Sequence, residues 1–455
     1  MTKIMKFGGG CLKDAETIDR AAAIVASECP RPAVVVSAIS GVTDILLAAL
    51  ADAKKDEAGI PASIQTLRDI HAEIARRTLK DERRREDALH AIELRLKKVQ
   101  RLLHGVAYTG EITPAVRARV LSFGERLSAL LFAAVLADRG AKSVSLESEE
   151  IGLITDHNLE NATVDLKLFK RIFAPMARAW ARNGTIPVIT GFFGATPDGK
   201  TATFGRNGTD YSAAVIAFGF RARALEIWKD VEGFMSADPK LVKRAAKIDR
   251  LSYGEAAELS YFGAKILHPR TLEPLAGLDI SVRIKNLFDP DGPGTEISPE
   301  GYARQDVIKS ITSNRQIALL RIRGRGVGFK PGIIGEIGRR LASDGVNIYS
   351  IITSQTCINL LVDRKEARRS HEALRAMAGG VIEAVDLNED VALIAAVGEG
   401  LQGRKGLAAR IFAAVSRADV NVEMISTGAS EVAAYFIVDR DDADTAIRAL
   451  HREFF

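Results

Sequence analysis

Polar and apolar residues alternate from Lys3 to Phe7 and stop at Gly8-Gly9-Gly10, a pattern that predicts a strand running into a glycine turn. Helical spacing over Asp14 to Ala26 follows, then the apolar run Ala33-Val-Val-Val-Ser37 and a second small-residue turn at Ser40-Gly41. An unbroken β-branched run marks a strand buried on both faces, so this opening predicts a βαβα unit with a parallel sheet. From about Ala62 to Gly140 the pattern is helical and rich in Glu, Arg and Lys, with a break near Tyr108 to Pro114. Further strands are expected at Ile186–Thr190, Ala224–Trp228 and Ser281–Lys285, each flanked by helix-like segments. Together these predict a layered α/β domain.

Proline and glycine crowd Asp289-Pro-Asp-Gly-Pro-Gly-Thr295, which marks the end of that domain. Beyond it the pattern repeats. Ile317–Arg323 (strand), Gly332–Asp344 (helix), Val346–Ser354 (strand) and Cys357–Val362 (strand) form one unit. Val391–Val397, Gly406–Arg417, Val420–Ser426 and Ala433–Val438 form a second in the same order. A glycine opens each helix, Gly332 and Gly406, and a Val-Asn-(Ile/Val) step enters each second strand, at Asn347 and Asn421. Two α+β modules of βαββαβ type are expected. The domains expected are 1–302, 303–385 and 386–455, the last two open to being intertwined.

Composition narrows the class without naming a chemistry. The 455 residues are 47% hydrophobic and 27% charged, as in an ordinary soluble globular protein. The net charge of +5 comes from basic residues interleaved with acids, as in Lys80-Asp-Glu-Arg-Arg-Arg-Glu-Asp87. Such a run is a solvated helix face, so no nucleic acid is expected as partner. Cys11, Cys29 and Cys357 have no metal-ligand spacing and an odd count, which points to a reducing compartment and away from a disulfide framework or protein-held metal. No apolar run is read as membrane-spanning and no signal-peptide core follows the N-terminus, so the expected location is cytoplasmic.

The densest chemistry lies at Gly205-Arg-Asn-Gly-Thr-Asp210, just ahead of a small-residue helical run. Glycines bring backbone N–H groups close to a ligand, and a helix N-terminus offers unpaired donors and the positive end of its dipole. By itself the cluster is as well read as a capped turn. Lys6-Phe-Gly-Gly-Gly10 adds a lysine at a strand end before a glycine turn that can cradle phosphate. Ser122-Phe-Gly-Glu-Arg-Leu-Ser128, Trp228-Lys-Asp-Val-Glu-Gly233 and Phe262-Gly-Ala-Lys-Ile-Leu-His-Pro269 complete the set.

In family order and nearly end to end, these motifs resemble the aspartate kinase branch of the amino-acid kinase family. The C-terminal repeats resemble its tandem ACT domains, of ferredoxin-like build. The resemblance implies an amino-acid kinase fold and ATP-dependent phosphorylation of the L-aspartate side chain to 4-phospho-L-aspartate, the entry to lysine, threonine and methionine biosynthesis. It implies that Lys6 and Lys265 contact phosphates, with Gly8, Gly9, Gly10, Lys229, Asp230, Met235 and Lys240 around the nucleotide. Asp210 would orient the lysines or meet the Mg2+ that arrives with ATP. Ser37 and Thr43 would hold the reacting carboxylate, with Thr209 beside them, while Glu125 pairs the α-amino group and Arg206 the α-carboxylate. His268 is read as structural, since acyl-phosphate formation gives it no proton to move.

Each of these residues has a plainer reading. Glu125 and Arg126 would by default be an exposed helical pair, and Arg206 and Asp210 a local ion pair. The chain also departs from the family pattern: Gly10 and Cys11 replace two hydroxyl residues, Asn207 replaces glycine, and Lys229, Met235 and Lys240 replace threonine, tyrosine and arginine. Two other readings therefore stand beside the first: another amino-acid kinase activity, such as that on acetylglutamate or carbamate, and a decayed kinase serving as an ACT-based amino-acid sensor. Unpaired ACT edges imply a homodimer or higher oligomer. An effector amino acid would sit at Gly332, Ile333, Asn347, Ile348, Ser354 and Gln355. Tyr349 stands where lysine-inhibited relatives often carry aspartate, which favours threonine over lysine.

Overall fold

Four buried residues in a row, Ala33-Val-Val-Val36, make a strand with no polar face, and in the computed structural model it lies inside an eight-stranded sheet. Residues 2–264, 266–302 and 307–455 are described. They fall into two units, the first made of Met1–Phe234, Asp249–Tyr253 and Ile266–Glu300. Its strands are β1 (Lys3–Phe7), β2 (Ala33–Val36), β3 (Ser143–Leu146), β4 (Ile186–Thr190), β5 (Phe193–Ala195), β6 (Thr201–Thr203), β7 (Ala224–Lys229), β8 (Arg250–Ser252), β9 (Ser281–Asn286) and β10 (Thr295–Ser298). Its helices are α1 (Ala15–Ser27), α2 (Val42–Ala53), α3 (Ile60–Thr78), α4 (Glu82–Thr109), α5 (Pro114–Leu121), α6 (Phe123–Asp138), α7 (Leu166–Asn183) and α8 (Gly208–Phe220).

The strand order is β3-β4-β2-β1-β7-β9-β10-β8, with β5 and β6 forming a separate hairpin. All neighbouring pairs in the large sheet are parallel except β9 with β10. The carboxyl ends of β1, β2, β4 and β7 therefore point the same way, the edge at which open parallel sheets bind ligands. Local chemistry starts and stops the helices. Asp14 caps α1 in a capping box with Thr17, whose N–H donates to Asp14 Oδ1 at 2.9 Å. α4 begins at Asp81, which accepts from the Arg84 N–H, and ends at Gly110 in the left-handed region. The core beneath the sheet includes Phe7, which stacks on Trp228 with ring centroids 5.8 Å apart.

Pro114–Asp138, which spans α5 and α6, is long and apolar enough by composition to cross a membrane. Yet 83% of its apolar window is buried inside the protein, so it is a core element packed under β3 and β4.

The second unit comprises Met235–Ile248, Gly254–Lys265 and Gly301–Phe455. α9 (Tyr253–Tyr261) contributes most of its length to it. Its strands are β11 (Ser310–Asn314), β12 (Ile317–Arg323), β13 (Ile348–Thr353), β14 (Cys357–Asp363), β15 (Ala384–Asn388), β16 (Val391–Val397), β17 (Met424–Thr427) and β18 (Ala433–Asp439). Its helices are α10 (Ile333–Ser343), α11 (Ala367–Arg375), α12 (Leu407–Arg417) and α13 (Ala443–Phe454). Two four-stranded antiparallel sheets result, β13-β14-β12-β15 and β11-β16-β18-β17. The second module thus takes its outer strand from β11, upstream of the whole first module. Ser310 to Asn314 pair with Val397 to Leu393, and this cannot be seen from repeat spacing because the strand is detached from the rest of its repeat. A buried ion pair lies in this unit: Lys309 Nζ is 2.7 Å from Glu255 Oε2, and Glu255 Oε1 accepts the Glu399 N–H at 2.7 Å.

Candidate functional site

The first strand delivers Lys6 to the carboxyl edge of the sheet, where its side chain is only 5% exposed. Lys6 Nζ lies 2.5 Å from Asp210 Oδ1. Asp210 sits in the first turn of α8, whose entry is bent by Asn207 at φ +56°, so the left-handed residue before the helix is asparagine. The predicted local pair of Arg206 with Asp210 does not form: Asp210 turns to Lys6 on one oxygen and to Lys229, 3.7 Å away, on the other. Burial would raise the Asp210 carboxyl, but the Lys6 and Lys229 charges prevail and hold it below its ordinary value.

The glycines after Lys6 keep this end open. A Cβ at Gly8 would stand 3.3 Å from Lys6 Nζ, and one at Gly10 would stand 2.9 Å from Asp230 Oδ2. Gly9 starts a single 3-10 turn in which the Cys11 and Leu12 N–H groups donate back to Gly8 and Gly9. Beside it, the Ser37 N–H donates to the Phe7 carbonyl at 3.1 Å, and Thr43 occupies the first turn of α2 behind Gly41.

α6 brings in Glu125. A Cβ at Gly124 would lie 2.7 Å from that of Ala38, so the Gly-Glu step lets the helix press on the loop after β2. Glu125 Oε1 accepts the Ala38 N–H at 3.0 Å, while Oε2 is buried with no hydrogen-bond partner. Burial pushes this carboxyl up to about 8, against the pull of the Ala38 N–H and the Lys6 and Arg126 charges. Glu125 and Arg126 are both buried, not the exposed pair their spacing suggests. Arg126 bonds Glu147 and Glu149 and lies over the Phe193 ring, 4.4 Å from its centroid. The network ties α6 to the β5–β6 hairpin that leads into the Arg206 loop, and the sequence carried no signal for it beyond acidic residues at Glu147 and Glu149.

Thr209 is buried against Gly191, where an added Cβ would meet Thr209 Cγ2 at 2.3 Å. Gly191→Ala is therefore expected to destabilise the first unit by about 1–3 kcal/mol through overpacking. Chemical denaturation measures it, and an unchanged midpoint would show that Thr209 yields freely. Arg206 is exposed and in no ion pair among the described residues. His268 accepts the Arg270 N–H at 3.3 Å and caps a short turn.

Lys265 lies outside the described residues. Met235 and Lys240 belong to the second unit, where the Met235 carbonyl accepts the Ser310 hydroxyl and the Lys240 N–H donates to Asp238 in a turn. In the first module of that unit Gly332 opens α10 at φ +86° and Ile333 is buried. Asn347 and Ile348 enter β13, and Ser354 and Gln355 turn toward Gly328, whose N–H donates to the Gln355 carbonyl at 3.1 Å.

Residues 1–286 match the model of the amino acid kinase family, and residues 394–454 that of the ACT domain. Aspartokinase 1, chloroplastic, of Arabidopsis thaliana is 31% identical over 100% of this chain and 80% of its own length. The chain belongs to the aspartokinases of the amino acid kinase family. Among solved structures it is similar to E. coli aspartokinase III in complex with aspartate and ADP (R-state), with a TM-score of 0.86, 28% identity and full coverage of both chains. The same enzyme with lysine and aspartate (T-state) matches at a TM-score of 0.81 and 28% identity, covering 100% of this chain and 99% of that one. The chain also spans about half (51%) of a bifunctional aspartokinase/homoserine dehydrogenase of Arabidopsis thaliana.

Proposed function

We propose that the chain transfers the γ-phosphoryl group of ATP to the side-chain carboxylate of L-aspartate, giving 4-phospho-L-aspartate, as the entry step to lysine, threonine and methionine biosynthesis. The observation that carries this is Glu125 Oε2, a buried carboxylate oxygen without a partner beside the Lys6–Asp210 pair. A substrate ammonium would supply that partner. The E. coli enzyme to which the chain is similar along its whole length was solved with aspartate and ADP.

The nucleophile needs no base, because an aspartate side chain is ionised at neutral pH. What opposes reaction is repulsion between two anions, so the site works by positioning and neutralising charge. Glu125 holds the α-ammonium and Arg206 the α-carboxylate, while Ser37, Thr43 and Thr209 orient the side chain toward the phosphate. Lys6 and the N–H groups of Gly9 and Gly10 receive the phosphates, with Gly8 and Asp230 beside them and Asp210 fixing Lys6. Asp210 also suits magnesium brought in on the nucleotide, since that ion takes one or two carboxylates beside phosphate oxygens. When bound it adds further positive charge. The three cysteines are free, which accords with a cytosolic, reducing location.

Trapping with hydroxylamine tests the reaction. An aspartohydroxamate that requires both ATP and aspartate is expected. Product from acetylglutamate or carbamate in its place would move the assignment within the family, and no product from any of them would leave an amino-acid sensor.

An amino-acid effector, threonine or lysine, is proposed for the loops at Gly332–Ile333, Asn347–Ile348 and Ser354–Gln355, with the ACT modules pairing in a homodimer or higher homo-oligomer. Tyr349 offers no carboxylate to an ε-ammonium, and its ring packs 5.3 Å from that of Tyr261. Threonine is therefore expected to inhibit more strongly than lysine or methionine in steady-state titrations. Selective inhibition by lysine, the ligand of the E. coli T-state structure, would overturn that preference.

A further inference from the structure

We propose that Lys229 is a second phosphate-binding cation, yoked to Lys6 through Asp210, that selects nucleoside di- and triphosphates over monophosphates and holds them without metal. The inference rests on the reading that the nucleotide phosphates lie at the glycine turn after β1.

Sheet register places the residue. β1 and β7 are parallel neighbours with Phe7 opposite Trp228, so Lys229 comes level with Gly8. Side chains directly opposite one another share a face, and residues two apart along a strand share it too. Lys229 therefore lies on the face that carries Lys6, with no side chain at Gly8 between them. Its ammonium reaches to 3.7 Å from Asp210 Oδ2, and its side chain is 18% exposed.

Charge accounting then asks for an anion. Lys6 and Lys229 contribute two positive charges and Asp210 one negative, which leaves one positive charge in a largely buried cluster. The other groups facing Lys229 offset it only in part. Burial pushes the Cys11 thiol up to about 12, so it stays neutral, and Asp230 is solvent-exposed and screened. Burial lowers the Lys229 pKa and Lys6 adds to this, with Asp210 opposing both. A like-charged pair bridged by one carboxylate is incompletely compensated in a low-dielectric site. A run of two or three phosphates supplies the missing charge over the span of both lysines. A single phosphate needs only one of them.

Calorimetric titration of the full chain with ADP and AMP, in chelator and in excess magnesium, tests this on the wild type, Lys229→Thr and Lys229→Arg. In chelator, Lys229→Thr is expected to weaken ADP binding about tenfold or more, the scale of one charge-assisted contact, with AMP binding nearly unchanged. Magnesium should narrow the loss, and Lys229→Arg should restore most of the affinity. Unchanged ADP affinity in Lys229→Thr, with wild-type binding intact, overturns the role of Lys229 and leaves the nucleotide site standing. Equal losses for ADP and AMP place Lys229 on another part of the nucleotide and overturn the selection of phosphate number. A wild type that binds neither nucleotide in either condition takes down the underlying reading as well. Thermal unfolding of each variant separates loss of binding from loss of fold.

Discussion

Lys6→Ala is expected to cut aspartate phosphorylation about a hundredfold or more, the scale on which one preorganised charge stabilises a transition state. Lys6 is held on both sides by strand pairing, in register with Val35 of β2 and Ile227 of β7, so the backbone survives truncation of its side chain. The ammonium is fixed by Asp210 at 2.5 Å and needs no reorganisation when phosphate arrives. Its removal leaves Asp210 with Lys229, at 3.7 Å, as the one cation still paired with it among the described residues. The loss should appear in single-turnover rate more than in aspartate affinity, because charge builds on the transferring group and not on the amino-acid backbone. Lys6→Met, which keeps the apolar stem, controls for packing. A well-folded variant of either kind with near-normal turnover would falsify the catalytic assignment.

What the chain discloses before folding follows from how local the determining contacts are. β1, β2 and β7 are legible because their apolar runs and glycine ends are contiguous, and β12 and β16 are legible to the residue. β3, Ser-Val-Ser-Leu, is half polar and gains strand character only by pairing with β4. β17 starts at Met424, later than the expected Val420, since Val420 packs into the core without joining the ladder. β11 was hidden because its partner lies beyond an entire module. The same division holds in the site. Lys6 and Asp210 announce themselves through glycine-rich surroundings, but the convergence of Lys229 on Asp210 depends on the register of two distant strands. Glu125 shows the limit most plainly. Charged neighbours on a helix predict a wet face, whereas α6 is buried nearly all round and the carboxylate is enclosed.

That enclosure has a measurable cost, and Glu125→Gln should expose it in two opposite effects. The folded protein holds the Glu125 proton up to about pH 8, while the unfolded chain releases it near 4.5. Stability linked to this group is full below about pH 4.5 and drains away as pH rises toward 8, because over that window the folded state binds more protons. Glutamine cannot ionise, so the variant should match the wild type near pH 4 and exceed it at pH 8, by an amount on the order of a few kcal/mol at most. Aspartate binding should move the other way and weaken about tenfold to a hundredfold, since the neutral amide loses the charge-assisted bond to the substrate ammonium. In the wild type that ammonium favours ionised Glu125, so binding aspartate below pH 8 should release a proton. Calorimetry in two buffers of different ionisation heat reads the release, and thermal unfolding across the pH range reads the stability. If aspartate binds the variant as tightly as the wild type with no proton release in either, Glu125 is a core carboxyl and not the amino-group site. If binding falls but the stability curves coincide at every pH, Glu125 is already ionised in the free protein, and its unpartnered oxygen is satisfied by solvent.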